Sequence, residues 1–127
     1  ADNKEFKKFE ETRKVTASEL QDLANKALAQ GRLRVALDII EELANMDKNN
    51  TQVLELKKAL EQKLSARIAA LMKRGNNFYK NGSIDDAKRD WEEVLRLDPN
   101  NKEAQNNVER AQRVLEKLLE LKTEEET

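Results

Sequence analysis

Cysteine and histidine are both missing from this 127-residue chain. Without cysteine there is no disulfide, no thiol nucleophile and no thiolate metal ligand, which leaves the redox compartment open. Without histidine the commonest acid–base group and metal ligand is gone. Glycine (3) and proline (1) are scarce and aromatics make up 4%. Few helix breakers beside abundant Ala, Leu, Glu, Lys and Gln imply an all-α chain. No apolar run approaches the ~18 residues that a membrane-spanning helix needs. No signal peptide is visible, and a removed one would leave no trace. Charge of one sign is not in excess either: 24 basic and 25 acidic side chains give a formal net charge of −1. No global field therefore draws in nucleic acid or an anionic membrane. A Gly-rich phosphate loop and a Ser nucleophile elbow are absent too. The expectation is a protein that is not an enzyme, with no catalytic residue, no metal ligand and no cofactor site.

What the chain does have is a segment that occurs twice. Residues 30–50 and 81–101 align at a shift of 51, with seven of 21 positions identical: a Gly (Gly31, Gly82), an Ala (Ala36, Ala87), a Glu pair (Glu41 and Glu42, Glu92 and Glu93), an Asp (Asp47, Asp98) and an Asn pair (Asn49 and Asn50, Asn100 and Asn101). Repetition at this scale signals stacked helices, because one helical unit cannot bury its apolar face alone.

The signals at helix ends divide the chain. Gly31 and Gly82 each follow a helical stretch and suit the left-handed position that stops it. Ser83 then caps a helix over about 84–97, with Asp86 at N3. That helix ends at Asp98-Pro99, since proline has no N–H and restricts its predecessor. Asn100 or Asn101 caps the next helix. Between them, Val53, Leu56, Leu60, Leu64, Ile68, Leu71, Gly75 and Phe78 recur at steps of three and four, the stripe of a single helix of about 30 residues. Shifted by 51, residues 4–30 match this long helix and residues 102–122 match its first two-thirds, with Ala104, Val108, Ala111, Leu115 and Leu118 carrying the stripe. An alternative breaks the first long helix near Thr16, where Thr16-x-x-Glu19 forms a capping box. One domain over residues 3–122 is expected, with units at 17–50 and 68–101, a helical extension at 51–67 and a closing helix at 102–122. Residues 123–127, almost all acidic, are expected to be a disordered tail. Charged ends and an incomplete last helix are compatible with a piece of a longer chain.

The second copy resembles a tetratricopeptide repeat, a 34-residue helix–turn–helix unit. Leu71, Arg74-Gly75, Phe78, Ala87, Trp91 and Pro99 stand at the family's marked positions, and only Arg74 departs, where Leu is usual. Leu20, Leu23-Ala24, Ala27, Ala36 and Ile40 give the first copy a weaker match, with Lys48 in place of the proline. The resemblance implies a right-handed array or a compact bundle of about five helices, long and short alternating. It also implies an interaction scaffold whose groove is lined by the solvent side of each first helix. Carried over by position, that side holds Ser18, Gln21, Asp22, Asn25 and Leu28 in the first unit and Met72, Lys73, Asn76, Tyr79 and Lys80 in the second. Some family members use an Asn at the place of Asn25 and Asn76, with nearby Lys, to hold a peptide backbone or terminal carboxylate. Partner-binding candidates are therefore Asn25, Met72, Lys73, Asn76, Tyr79 and Lys80, and the expected partner is a peptide or helix of another protein. Similar short arrays with a Trp-x-x-Val-Leu-x-Leu-Asp-Pro segment look bacterial, and several serve cell-envelope assembly. A periplasmic and a cytoplasmic location both fit.

Two alternatives rest on other residues. Phe6 and Phe9 share a helix face and either cap the first unit or dock on a second chain. Val114 and Leu121 leave the closing helix with a further apolar edge, so a homodimer through terminal helices is the second reading. Lys57, Lys58, Lys63, Arg67, Lys73, Arg74 and Lys80 form a basic strip that could hold an anion or RNA. The strip lacks interleaved aromatics, which argues against nucleic acid. Pairing with Asp85, Asp86, Asp90, Glu92 and Glu93 on the opposing helix explains it more simply. Those acids read as a solvated face, and Trp91 as core.

Overall fold

The computed structural model of the protein describes residues 16–126. They form five helices and no strand: α1 (Ala17–Ala29), α2 (Leu33–Met46), α3 (Thr51–Lys80), α4 (Ile84–Leu97) and α5 (Lys102–Glu126). The 51-residue shift carries the first residues of α2 and α3 onto those of α4 and α5. Phe6 and Phe9 lie outside the described residues.

The repeated turns explain this register. After α1, the N–H of Gly31 bonds to the carbonyl of Leu28 at 3.1 Å and that of Arg32 to Ala27 at 2.9 Å. After α3, Gly82 bonds to Tyr79 at 3.1 Å and Ser83 to Phe78 at 2.8 Å. Both are Schellman closures, which need a left-handed residue, and Gly31 and Gly82 have φ of 72° and 84°. The Ser83 side chain makes no capping bond, contrary to expectation; its backbone, at φ −84° and ψ 68°, departs from the extended form that a capping residue usually takes. The second turn also recurs. Asn50 Oδ1 accepts from the Val53 N–H at 3.2 Å, and Asn101 Oδ1 from the Ala104 N–H at 3.0 Å. The cap is thus Asn101, not Asn100. Replacing Asn101 by Ala should cost about 1 kcal/mol in urea unfolding, and Asn50 by Ala about the same. Asp47 and Asp98, three residues before these caps, share nearly the same backbone, at φ −141° and −144°. Lys48 therefore serves the turn as well as Pro99 does.

At the other end, Thr16 has extended backbone (φ −73°, ψ 157°) and its Oγ1 accepts the Glu19 N–H at 3.1 Å. Helix α1 thus starts after Thr16, the boundary that the alternative reading placed there. Helix α5 continues to Glu126, beyond the Lys122 limit expected, so residues 123–126 are helical where a disordered tail was anticipated. The Thr123 hydroxyl donates to the Leu119 carbonyl at 2.9 Å within it.

Packing separates two units, divided between Glu61 and Gln62 inside α3. In the first, Ala24, Ala36 and Ile40 are fully buried, with Leu37, Leu43, Val53 and Leu60 nearly so. In the second, Trp91, Ala87, Ile84 and Ala111 form one cluster, edged by Met72, Phe78, Tyr79, Val108, Val114 and Leu115. Leu71, Val94 and Ala104 form the other. Trp91 removes roughly 200 Å² from water, worth about 5 kcal/mol. The α5 stripe leaves the core at Leu118, which is 52% exposed.

Candidate peptide-binding face

Helix α3 supplies five of the six candidate residues, and helical phase sorts them. Met72, Asn76 and Tyr79 follow at i, i+4 and i+7; Lys73, Asn76 and Lys80 follow at i, i+3 and i+7. Asn76 is common to both rows and half-buried, and Lys73 and Lys80 are exposed. Met72 packs on both clusters of the second unit, so it forms the floor and offers little surface. Asn25 is exposed in the first unit and accepts from Gln21 Nε2 at 3.3 Å.

Tyr79 is not free. Its ring lies 5.7 Å from that of Trp91, tilted by 41°, and the Arg110 guanidinium sits 4.6 Å above its centroid. This is a cation–π arrangement. Arg110, on α5, was missed by the sequence reading. The available signal was its spacing: it follows Asn76 by 34 residues, the length of one tetratricopeptide unit. The resulting face has Asn76 and Tyr79 at its centre and Lys73, Lys80 and Arg110 around them.

The basic strip on α3 behaves differently from its sequence description. Lys57 pairs with Glu61 along the helix at 3.9 Å. Arg74 makes the cross-helix pair, a two-pronged fork with Nε and Nη2 each 2.7 Å from an Asp90 oxygen. Its side chain is 58% exposed whereas that of Asp90 is only 8% exposed. The hydrogen bond to Asp90, followed by its charge, raises the Arg74 pKa above the usual guanidinium range. Asp90 is therefore a buried partner and not part of a solvated acidic face. Asp86 and Glu93 find Arg89 and Arg96 on their own helix, at 3.0 and 2.7 Å, so pairing between helices is narrower than expected. The same hydrogen bond and charge logic from Glu93 raises the Arg96 pKa.

A groove of about 480 Å³ runs between α4 and α5 past Lys88, Glu92, Gln112 and Glu116 and includes no candidate residue. Part of its polar lining is internally bonded: Lys88 Nζ donates to Gln112 Oε1 at 2.6 Å, and Gln112 Nε2 donates to Glu116 Oε1 at 3.0 Å. Among the described residues no cluster of acidic side chains could hold a metal, and no helix is long and apolar enough to cross a membrane.

Helix hairpins closed by paired Schellman turns, a small-on-large contact between Gly75 and Trp91, and a polar face on the first helix define an all-α repeat scaffold. The tetratricopeptide repeat family model matches residues 68–101, so the likeness to that family is shown for this stretch of the second unit. No curated protein matches it. Among solved structures, it is similar to the first tetratricopeptide domain of Spaghetti (RPAP3) bound to an HSP90 peptide, SRMEEVD. That likeness has 24% identity over 78% of this chain and 92% of the other, with a TM-score of 0.37.

Proposed function

We propose that the protein is a noncatalytic interaction module that takes an extended acidic peptide of a partner protein along the Asn76–Tyr79–Arg110 face. The observation that carries this is the arrangement around Asn76. A half-buried amide with no described side-chain partner stands between Lys73 and Lys80, beside an arginine held on a tyrosine ring. An amide can donate to and accept from a peptide backbone, and the three cations suit carboxylates. The tetratricopeptide match at residues 68–101 supports an interaction role of this kind. The setting proposed with it is assembly in a bacterial cell envelope, on the resemblance of the segment from Trp91 to Pro99; fractionation of the native host tests that.

Binding is tested with a fluorescein-labelled heptapeptide of Glu and Ala, prepared with a free C-terminal carboxylate and as the amide. Asn76→Ala and Arg110→Ala should each weaken binding about 10-fold, equivalent to about 1.4 kcal/mol, with the unfolding midpoint unchanged. Tyr79→Ala should lower the midpoint as well, because its ring packs on Trp91. Loss of affinity on amidation in the wild type but not in Asn76→Ala would place the terminal carboxylate at Asn76. Equal binding by wild type and both variants would remove this face from the function.

A further inference from the structure

The two hairpins differ on one equivalent face. In the first, Leu23, Ala27, Val35 and Ile39 line a groove of about 200 Å³ between α1 and α2, rimmed by Lys26 and Arg32. Leu23 is 49% exposed and Val35 45% exposed. A shift of 51 places Arg74, Phe78, Asp86 and Asp90 at the corresponding positions. There the face is finished by polar chemistry: the Arg74–Asp90 fork, and Asp86 paired with Arg89. One hairpin therefore closes this face with ion pairs, while the other leaves it apolar. Neither Lys26 nor Arg32 forms an ion pair with a described residue.

The end of α5 has the complementary character. Leu118, Leu119 and Leu121 are 52%, 65% and 47% exposed, and residues 116–126 carry five Glu against two Lys. Leu118 and Leu121 are three apart and share a side, with Glu125 following on it. It is an acidic helix with exposed leucine knobs, in a chain that also carries an apolar groove whose only lining charges are the cations Lys26 and Arg32.

We infer that the α1–α2 groove of one copy receives the leucine-bearing end of α5 from a second copy, Lys26 and Arg32 meeting its glutamates. The two surfaces are different, so the contact is heterologous. Such a contact leaves one free surface at each end of a pair and continues into an open array unless rotation closes it. Both surfaces are small, which places the association at the weak, transient end of the range. This inference uses neither Asn76 nor Arg110 and stands apart from the peptide-binding proposal.

Sedimentation and light scattering of the full chain, 14.7 kDa, provide the test. The average mass should rise with concentration, pass that of two chains, and fall back with added salt. Leu118→Lys with Leu121→Lys removes the knobs, and Leu23→Glu with Val35→Glu removes the groove. Each variant alone should stay a single chain. Mixed, the two should form a complex of two chains that grows no further, since only one intact pair of surfaces remains. Lys26→Glu with Arg32→Glu should weaken association without touching the apolar floor, which guards against misfolding of the groove variant. Wild type with the mass of one chain at every concentration overturns the inference; that result would follow if residues 1–15 or another protein occupied the groove. Association of the knob variant equal to wild type overturns it too, as does a mixture that forms no complex.

Discussion

Gly75→Ala should destabilise the protein by up to about 2 kcal/mol in urea unfolding, and the same change should become neutral or stabilising once Trp91 is replaced by Ile. A Cβ at position 75 would stand 2.6 Å from Trp91 Nε1 and 2.9 Å from its Cδ1. Real side chains do not approach that closely, and the indole is fully buried, so the helices must move apart. Overpacking of this kind costs about 1–3 kcal/mol, offset by the ~1 kcal/mol that Ala gains over Gly inside a helix. The first hairpin shows the other solution: Ala24 and Ile40 stand where Gly75 and Trp91 do, and both are fully buried. A larger residue on the first helix accompanies a smaller one on the second. Trp91→Ile alone should cost about 3 kcal/mol through the cavity it leaves, reduced because the indole N–H, which has no acceptor in the fold, is removed with it. In that background the added methyl fills space. An equal cost of Gly75→Ala in both backgrounds would show that close approach to Trp91 is not the reason for the glycine.

Local chemistry made most of the fold legible in the sequence. Gly31 and Gly82 ended helices because only a left-handed residue completes that closure, and the α3 stripe from Val53 to Phe78 was read at its true period because every residue of it is buried or half-buried. Thr16 shows where two local signals competed. The repeat favoured a helix running through it, while its own hydroxyl favoured a cap, and the cap formed. The acidic composition of residues 123–126 pointed to disorder, yet the helix begun at Asn101 propagates through them, with the Thr123 hydroxyl bonded back to Leu119. The candidate site was less legible because exposure on a helix depends on what crosses it. Phase correctly left Lys73 and Lys80 exposed. It could not show that Arg110, 31 residues beyond Tyr79, would cover that ring. Met72 and Tyr79 looked like groove residues by position and are largely committed to the core by contact.

Arg74→Leu should lower the melting temperature by several degrees, although leucine is the residue that the family usually has there. Asp90→Leu should cost much less, and the double substitution should recover most of what Arg74→Leu loses. The asymmetry follows from exposure. Removing Asp90 leaves an arginine whose side chain is 58% exposed and which water can solvate. Removing Arg74 strands a carboxylate whose side chain is 8% exposed, after both of its charge-assisted bonds have gone. An unpaired buried charge is far more costly than the pair was favourable, and an apolar replacement of both partners is commonly neutral or better. The departure from the family pattern at Arg74 and the burial of Asp90 are thus one feature: each residue makes sense only with the other. Their common role is to give the α3–α4 hairpin a wettable face where the α1–α2 hairpin has Leu23 and Ile39. The double variant should accordingly be stable but stickier, with its mass in light scattering rising with concentration at this newly apolar face. Equal losses from the two single substitutions would mean that Asp90 is reached by water, and the pair would then be an ordinary surface contact.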